Sequence, residues 1–64
     1  MKLGTYLELN GLTPAKFALE IGVKRQTVTN WVKGRNKPTT DYLLLVQRAT
    51  EGKVLAEDWY STQN

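Results

Sequence analysis

The chain contains no cysteine and no histidine. Disulfides are therefore excluded, and thiolate and imidazole metal ligands are missing together. Zinc fingers, Ser-His-Asp and Cys-His catalysis and most metal-assisted hydrolysis fall away with them. No apolar run approaches the roughly 18 residues that span a membrane. The first five residues lead into an amphipathic pattern rather than a signal-peptide core, so a cytoplasmic protein is expected. Acidic residues are the scarcer charge, six against nine Lys and Arg, which leaves a net charge of +3. At 64 residues one domain is expected over 1–64, with no deep cleft, no metal, no cofactor and no enzyme activity. Hydrophobic residues make up 41% of the chain, too many for a disordered segment. A small chain without staples calls for short helices packed around a compact core.

Glycine and proline divide the chain into five short pieces. Residues 2–10 place Leu3, Tyr6 and Leu7 at helical spacing, with Asn10-Gly11 as a stop. Thr13-Pro14 reads as an N-cap followed by proline at the first helical position. The second helix is expected over residues 14–21, burying Phe17, Ala18 and Ile21, with Gly22 as a left-handed stop. A third helix over residues 25–33 ends at Gly34, and a basic loop follows through Pro38. Thr39, Thr40 and Asp41 offer caps for a fourth helix, with Leu43, Leu44 and Leu45 facing inward and Gly52 ending it. Residues 54–60 form a short fifth element, and 61–64 fray. No strict alternation appears, so the expected fold is all-α, a compact bundle of four to five helices.

Residues 13–33 carry the most information. Two helices of about eight residues joined by a tight glycine turn make a helix-turn-helix. Ala18 is small where the two helices cross. Gly22 supplies a positive φ or the absence of a Cβ. Phe17, Ile21, Val23, Val28 and Trp31 form the shared apolar surface. The small residue stands four before the glycine, and apolar residues stand one, six and nine after it. That combination is far more specific than any one of its members.

The runs Phe17-Ala18-Leu19-Glu20-Ile21-Gly22-Val23, Arg25-Gln26-Thr27-Val28-Thr29-Asn30-Trp31 and Gly34-Arg35-Asn36-Lys37-Pro38 resemble the helix-turn-helix domains of lambdoid phage repressors and Cro proteins. The resemblance covers residues 3–51. Residues 48–54 and 57–59 are similar to the ends of short Cro-like and YdaS-like prophage regulators. One position departs from the pattern. Relatives often carry Ser or Thr where this chain has Lys24, which cannot cap the helix that follows and opposes its dipole. A DNA phosphate would compensate, because helix N-termini attract anions.

The resemblance implies sequence-specific binding to duplex DNA, and the residue chemistry agrees. Wound at 100° per residue, the third helix puts Val28, Trp31 and Val32 on one side, with Lys24 near them. Gln26, Asn30 and Lys33 fall opposite, flanked by Thr29, with Arg25 and Thr27 on the shoulders. Gln and Asn pair with adenine, Arg with guanine, and a Thr methyl touches thymine. By position in the family, Arg25, Gln26, Thr29 and Asn30 are the expected base readers, with Thr27 a further candidate and Gln26 most central. Lys24, Lys33, Arg35, Asn36, Lys37 and Thr13 are expected to hold phosphates. Residues 21–40 carry a charge of +5 with no acidic residue, and the remainder of the chain sums to −2. Such segregation favours a nucleic-acid face over a merely solvated one.

The expected function is transcriptional control by operator occupancy, with repression of the phage or prophage Cro type. The expected partner is double-stranded DNA with a palindromic site, bound by a homodimer in a bacterial host cytoplasm. Two rivals stand beside it. One is an antitoxin-type autoregulator whose tail (Val54, Leu55, Trp59, Tyr60) binds a toxin. The other is a protein-only interaction domain. Trp31 is expected in the core rather than stacked on bases. Trp59 is expected to close the core, and Tyr60 is left between core and interface.

Overall fold

A computed structural model describes residues 1–60, without the side chain of Tyr60. The expected fraying of 61–64 and the role of the Tyr60 side chain lie outside the described residues. The order is α1 (Leu3–Leu9), α2 (Pro14–Ile21), α3 (Arg25–Lys33), α4 (Thr40–Ala49) and α5 (Glu57–Tyr60), with no strand among the described residues. The architecture is all-α, as the lack of alternation predicts. The fifth element is shorter than expected, since residues 54–56 precede the helix rather than form it.

Local chemistry explains the boundaries. Thr13 caps α2, its Oγ1 accepting from the Lys16 amide at 3.1 Å, with Pro14 at the first helical position. Gly22 ends α2 at φ 76°, ψ 34°. A Cβ there would meet nothing within 4 Å, so the left-handed backbone, not crowding, is what calls for glycine. Lys24 caps α3 only with its backbone, as its side chain requires. Thr39 is the N-cap of α4, but its hydroxyl accepts no capping bond.

The core is Leu3, Leu7, Phe17, Ala18, Val28, Trp31, Val46 and Val54, drawn from four helices and the segment before α5. α2 packs chiefly on α3, with Ala18 at 2% exposure keeping that approach close. Ile21 and Val23 are half-buried at its edge. Trp31 lies at the centre of an aromatic group. Its ring centroid stands 6.1 Å from Trp59, edge to face, and 5.8 Å from Tyr42. Trp31 is thus a core residue, and Trp59 is half-buried against the core.

Two expectations about inward faces are corrected. Leu44 and Leu45 are 53% and 39% exposed, whereas Val46 is fully buried. The inward stripe of α4 is set by Val46 and Thr50, four residues apart, with Leu43 half-buried beside them. Thr50 is buried because its hydroxyl is satisfied twice. It donates to the Val46 carbonyl at 2.8 Å and accepts from the Val54 amide at 3.1 Å. At 100° per residue, anchoring that pair turns Leu44 and Leu45 outward. Val32 is also exposed rather than core, lying at the margin where α1 approaches α3. There Gly4 faces Val32, and a Cβ at position 4 would stand 3.4 Å from Val32 Cγ1, an ordinary van der Waals contact.

Candidate nucleic-acid interface

The helix-turn-helix presents α3 as a ridge whose inner side is Val28 and Trp31. With those two buried, the opposite side must face out. Arg25 and Gln26 are exposed at its first turn, and Thr27, Thr29 and Asn30 are half-buried along it. Gln26 Nε2 donates to Asn30 Oδ1 at 3.0 Å, joining two of the predicted readers across one helical turn. Thr27 is turned away from that pair, beside Gly22, Val23, Lys24 and Tyr42 in a shallow depression.

The predicted phosphate positions surround this ridge. Lys24 precedes it, and its carbonyl accepts from the Thr27 amide at 3.0 Å. Lys33 is the last residue of α3. Gly34 turns the chain at φ 76°, and the Arg35 amide closes onto the Asn30 carbonyl at 2.9 Å. The backbone of Asn30, a predicted reader, thus holds the start of the basic loop. Lys24, Lys33, Arg35, Asn36, Lys37 and Thr13 are all exposed. Among the described residues, the side chains of Lys24, Arg25, Lys33 and Arg35 make no ion pair. Thr13 already uses its hydroxyl as the α2 cap, so any anion there meets the opening amides of α2.

Tertiary packing adds a cation that the linear pattern does not indicate. Lys2, at the start of α1, lines a cleft of about 170 Å³ with Gly34, Asn36 and Lys37. It is 32 positions from the loop in sequence, and only the packing of α1 on α3 brings it there. Asp58 lines the same cleft and is the one carboxylate in it. Its Oδ2 accepts from the Met1 ammonium and from the Leu55 amide, each at 2.8 Å. The ammonium bond, then the amide bond, hold its carboxyl below the usual range.

Among the described residues no three carboxylates gather into a metal site, and no helix is long and apolar enough to cross a membrane. No curated protein and no solved structure matched the chain. The family model described as helix-turn-helix matches residues 3–53, most of the chain, from the buried Leu3 of α1 to the turn that follows α4. Members of that family are regulatory rather than typically enzymatic. A buried Val28 and Trp31, a left-handed Gly22 and an outward polar ridge are what such a domain needs, and the chain belongs to the helix-turn-helix family of DNA-binding transcriptional regulators.

Proposed function

We propose that this chain is a repressor of the phage or prophage Cro type. It binds a palindromic operator as a homodimer in the bacterial cytoplasm, and occupancy of the promoter is its output. The observation that carries the reading is the linked Gln26–Asn30 pair on the outward face of α3, flanked by Lys24, Arg25, Lys33 and Arg35, whose side chains make no ion pair among the described residues. With Nε2 of Gln26 bonded to Asn30 Oδ1, the pair still offers Gln26 Oε1 as acceptor and Asn30 Nδ2 as donor. Adenine presents the complementary N6 donor and N7 acceptor in the major groove. Arg25 and Thr29 complete the reading surface, with Thr27 at its shoulder. Lys24, Lys33, Arg35, Asn36, Lys37 and the start of α2 at Thr13 orient the domain on the backbone, and Lys2 extends that set.

The test is a random-pool selection on duplex DNA, followed by salt-titrated binding to the enriched site. A palindrome with half-sites about one helical turn apart is expected. Lys33→Ala and Arg35→Ala should weaken specific and random DNA alike and reduce the salt slope by about one each. A pool that yields no enriched sequence overturns specific recognition.

A further inference from the structure

The outer face of α4 carries two exposed leucines, Leu44 and Leu45, that neither the core nor the proposed DNA face uses. Its leucines are the residues that the inward stripe of Val46 and Thr50 excludes from the core. With Thr40 set at zero and 100° per residue, Asp41 lies at about 100°, Leu44 at 40°, Leu45 at 140° and Arg48 at 80°. All four therefore centre on one line, opposite the buried stripe. They stand at positions i, i+3, i+4 and i+7, the spacing of a helix-packing seam. Asp41 and Arg48 are exposed and are the only charged residues of α4. Among the described residues, neither side chain forms a hydrogen bond or ion pair.

This pattern is its own complement. A two-fold axis passing between residues 44 and 45 sets Asp41 against the partner's Arg48, and Leu44 against the partner's Leu45. Each contact then occurs twice, as isologous symmetry demands. A parallel arrangement would instead set Asp41 on Asp41 and Arg48 on Arg48, which like-charge repulsion opposes. Antiparallel helices also place opposite dipole ends together. The face is electrically neutral on a chain of net charge +3, so two copies can meet there without repulsion at the contact.

We propose that the outer face of α4 is the surface on which a second copy of this chain docks, antiparallel, through Leu44 and Leu45 with paired Asp41–Arg48 contacts at both ends. The proposal rests on the dimer reading above and names its surface. A ten-residue helix is about 15 Å long. Its face falls short of the roughly 800 Å² per partner of a lasting complex. The pairing is accordingly weak in free solution and takes effect when two half-sites hold the copies side by side.

Sedimentation equilibrium of the free protein up to about 1 mM, beside binding to duplexes carrying one half-site or two, tests it. Asp41→Arg and Arg48→Asp should each reduce self-association and two-site cooperativity about tenfold or more. Both should keep wild-type half-site affinity and helical circular dichroism. An equimolar mixture of the two variants should regain association, because every cation then meets a carboxylate across the axis. A misfolded variant cannot produce that rescue. Variants that associate like wild type, a mixture no better than either alone, or a wild type that neither self-associates nor binds two sites cooperatively overturns the proposal. Rescue in the free protein without any DNA binding would uphold this surface and overturn the repressor reading instead.

Discussion

Gln26 and Asn30 are joined by a 3.0 Å hydrogen bond across one turn of α3, so under the proposed function the two side chains would meet DNA as a unit. Each limits the other's rotamers in the free protein, which would lower the ordering cost of the proposed base recognition. Gln26→Ala should cost about 1–3 kcal/mol on the selected operator and little on random duplex. Asn30→Ala should lose a similar amount. The double variant should lose clearly less than the sum, since each single change already frees the other side chain. A double-mutant cycle on operator and random DNA measures this, and additive losses would mean that the two act separately.

Under the proposed function, Lys24 sets stability against binding. It is the N-cap of α3 and its side chain makes no cap. Lys24→Ser should supply an oxygen for the first-turn amides and raise stability by about 1 kcal/mol. It should also remove a cation beside the reading helix and so weaken binding to operator and random DNA together. Urea denaturation and salt-titrated binding on the same preparation separate the two effects. A variant more stable and equally tight on DNA would take Lys24 out of the phosphate set.

Thr50 is the buried polar residue on which the end of α4 depends. Its hydroxyl bridges the Val46 carbonyl and the Val54 amide. Thr50→Val keeps the shape and removes both bonds, leaving the buried Val54 amide without its acceptor. A loss of about 1–3 kcal/mol is expected in denaturant titrations. A neutral outcome would mean that the segment from residue 50 to 54 relaxes at little cost.

Asp58 links the two ends of the described chain. The Met1 ammonium, and secondarily the Leu55 amide, hold its carboxyl below the usual range. Because the folded value is depressed, its contribution is present above the ordinary carboxylate value of about 4 and fades as pH falls through the lower folded value. Urea midpoints should decline over that acid window. Asp58→Asn should be less stable near neutrality and show a flatter decline. Parallel profiles for the two proteins would remove Asp58 as a source of the acid sensitivity.

Much of the helix-turn-helix was legible in one dimension because its determinants are local. Thr13-Pro14 specifies a helix start through hydrogen bonding and a preset φ. Gly22 and Gly34 specify stops because left-handed backbone excludes most side chains. Val28 and Trp31 share a face by the 100° step alone, which obliges Gln26 and Asn30 to point away. The charge segregation into residues 21–40 needs no coordinates at all.

The rest depended on contacts between distant segments. Leucine is the more apolar choice in α4, yet Val46 is inside and Leu44 and Leu45 are outside, because Thr50 binds Val54 and thereby sets the helix rotation. Lys2 reaches the basic loop only because α1 packs on α3. The sequence by itself determined which segments are helical, where they stop and which face of α3 is polar, since those follow from backbone sterics and helical periodicity within a few residues. Only the tertiary structure decided how α4 is rotated, which cations gather and which leucines stay exposed, since these follow from long-range packing that local periodicity does not encode.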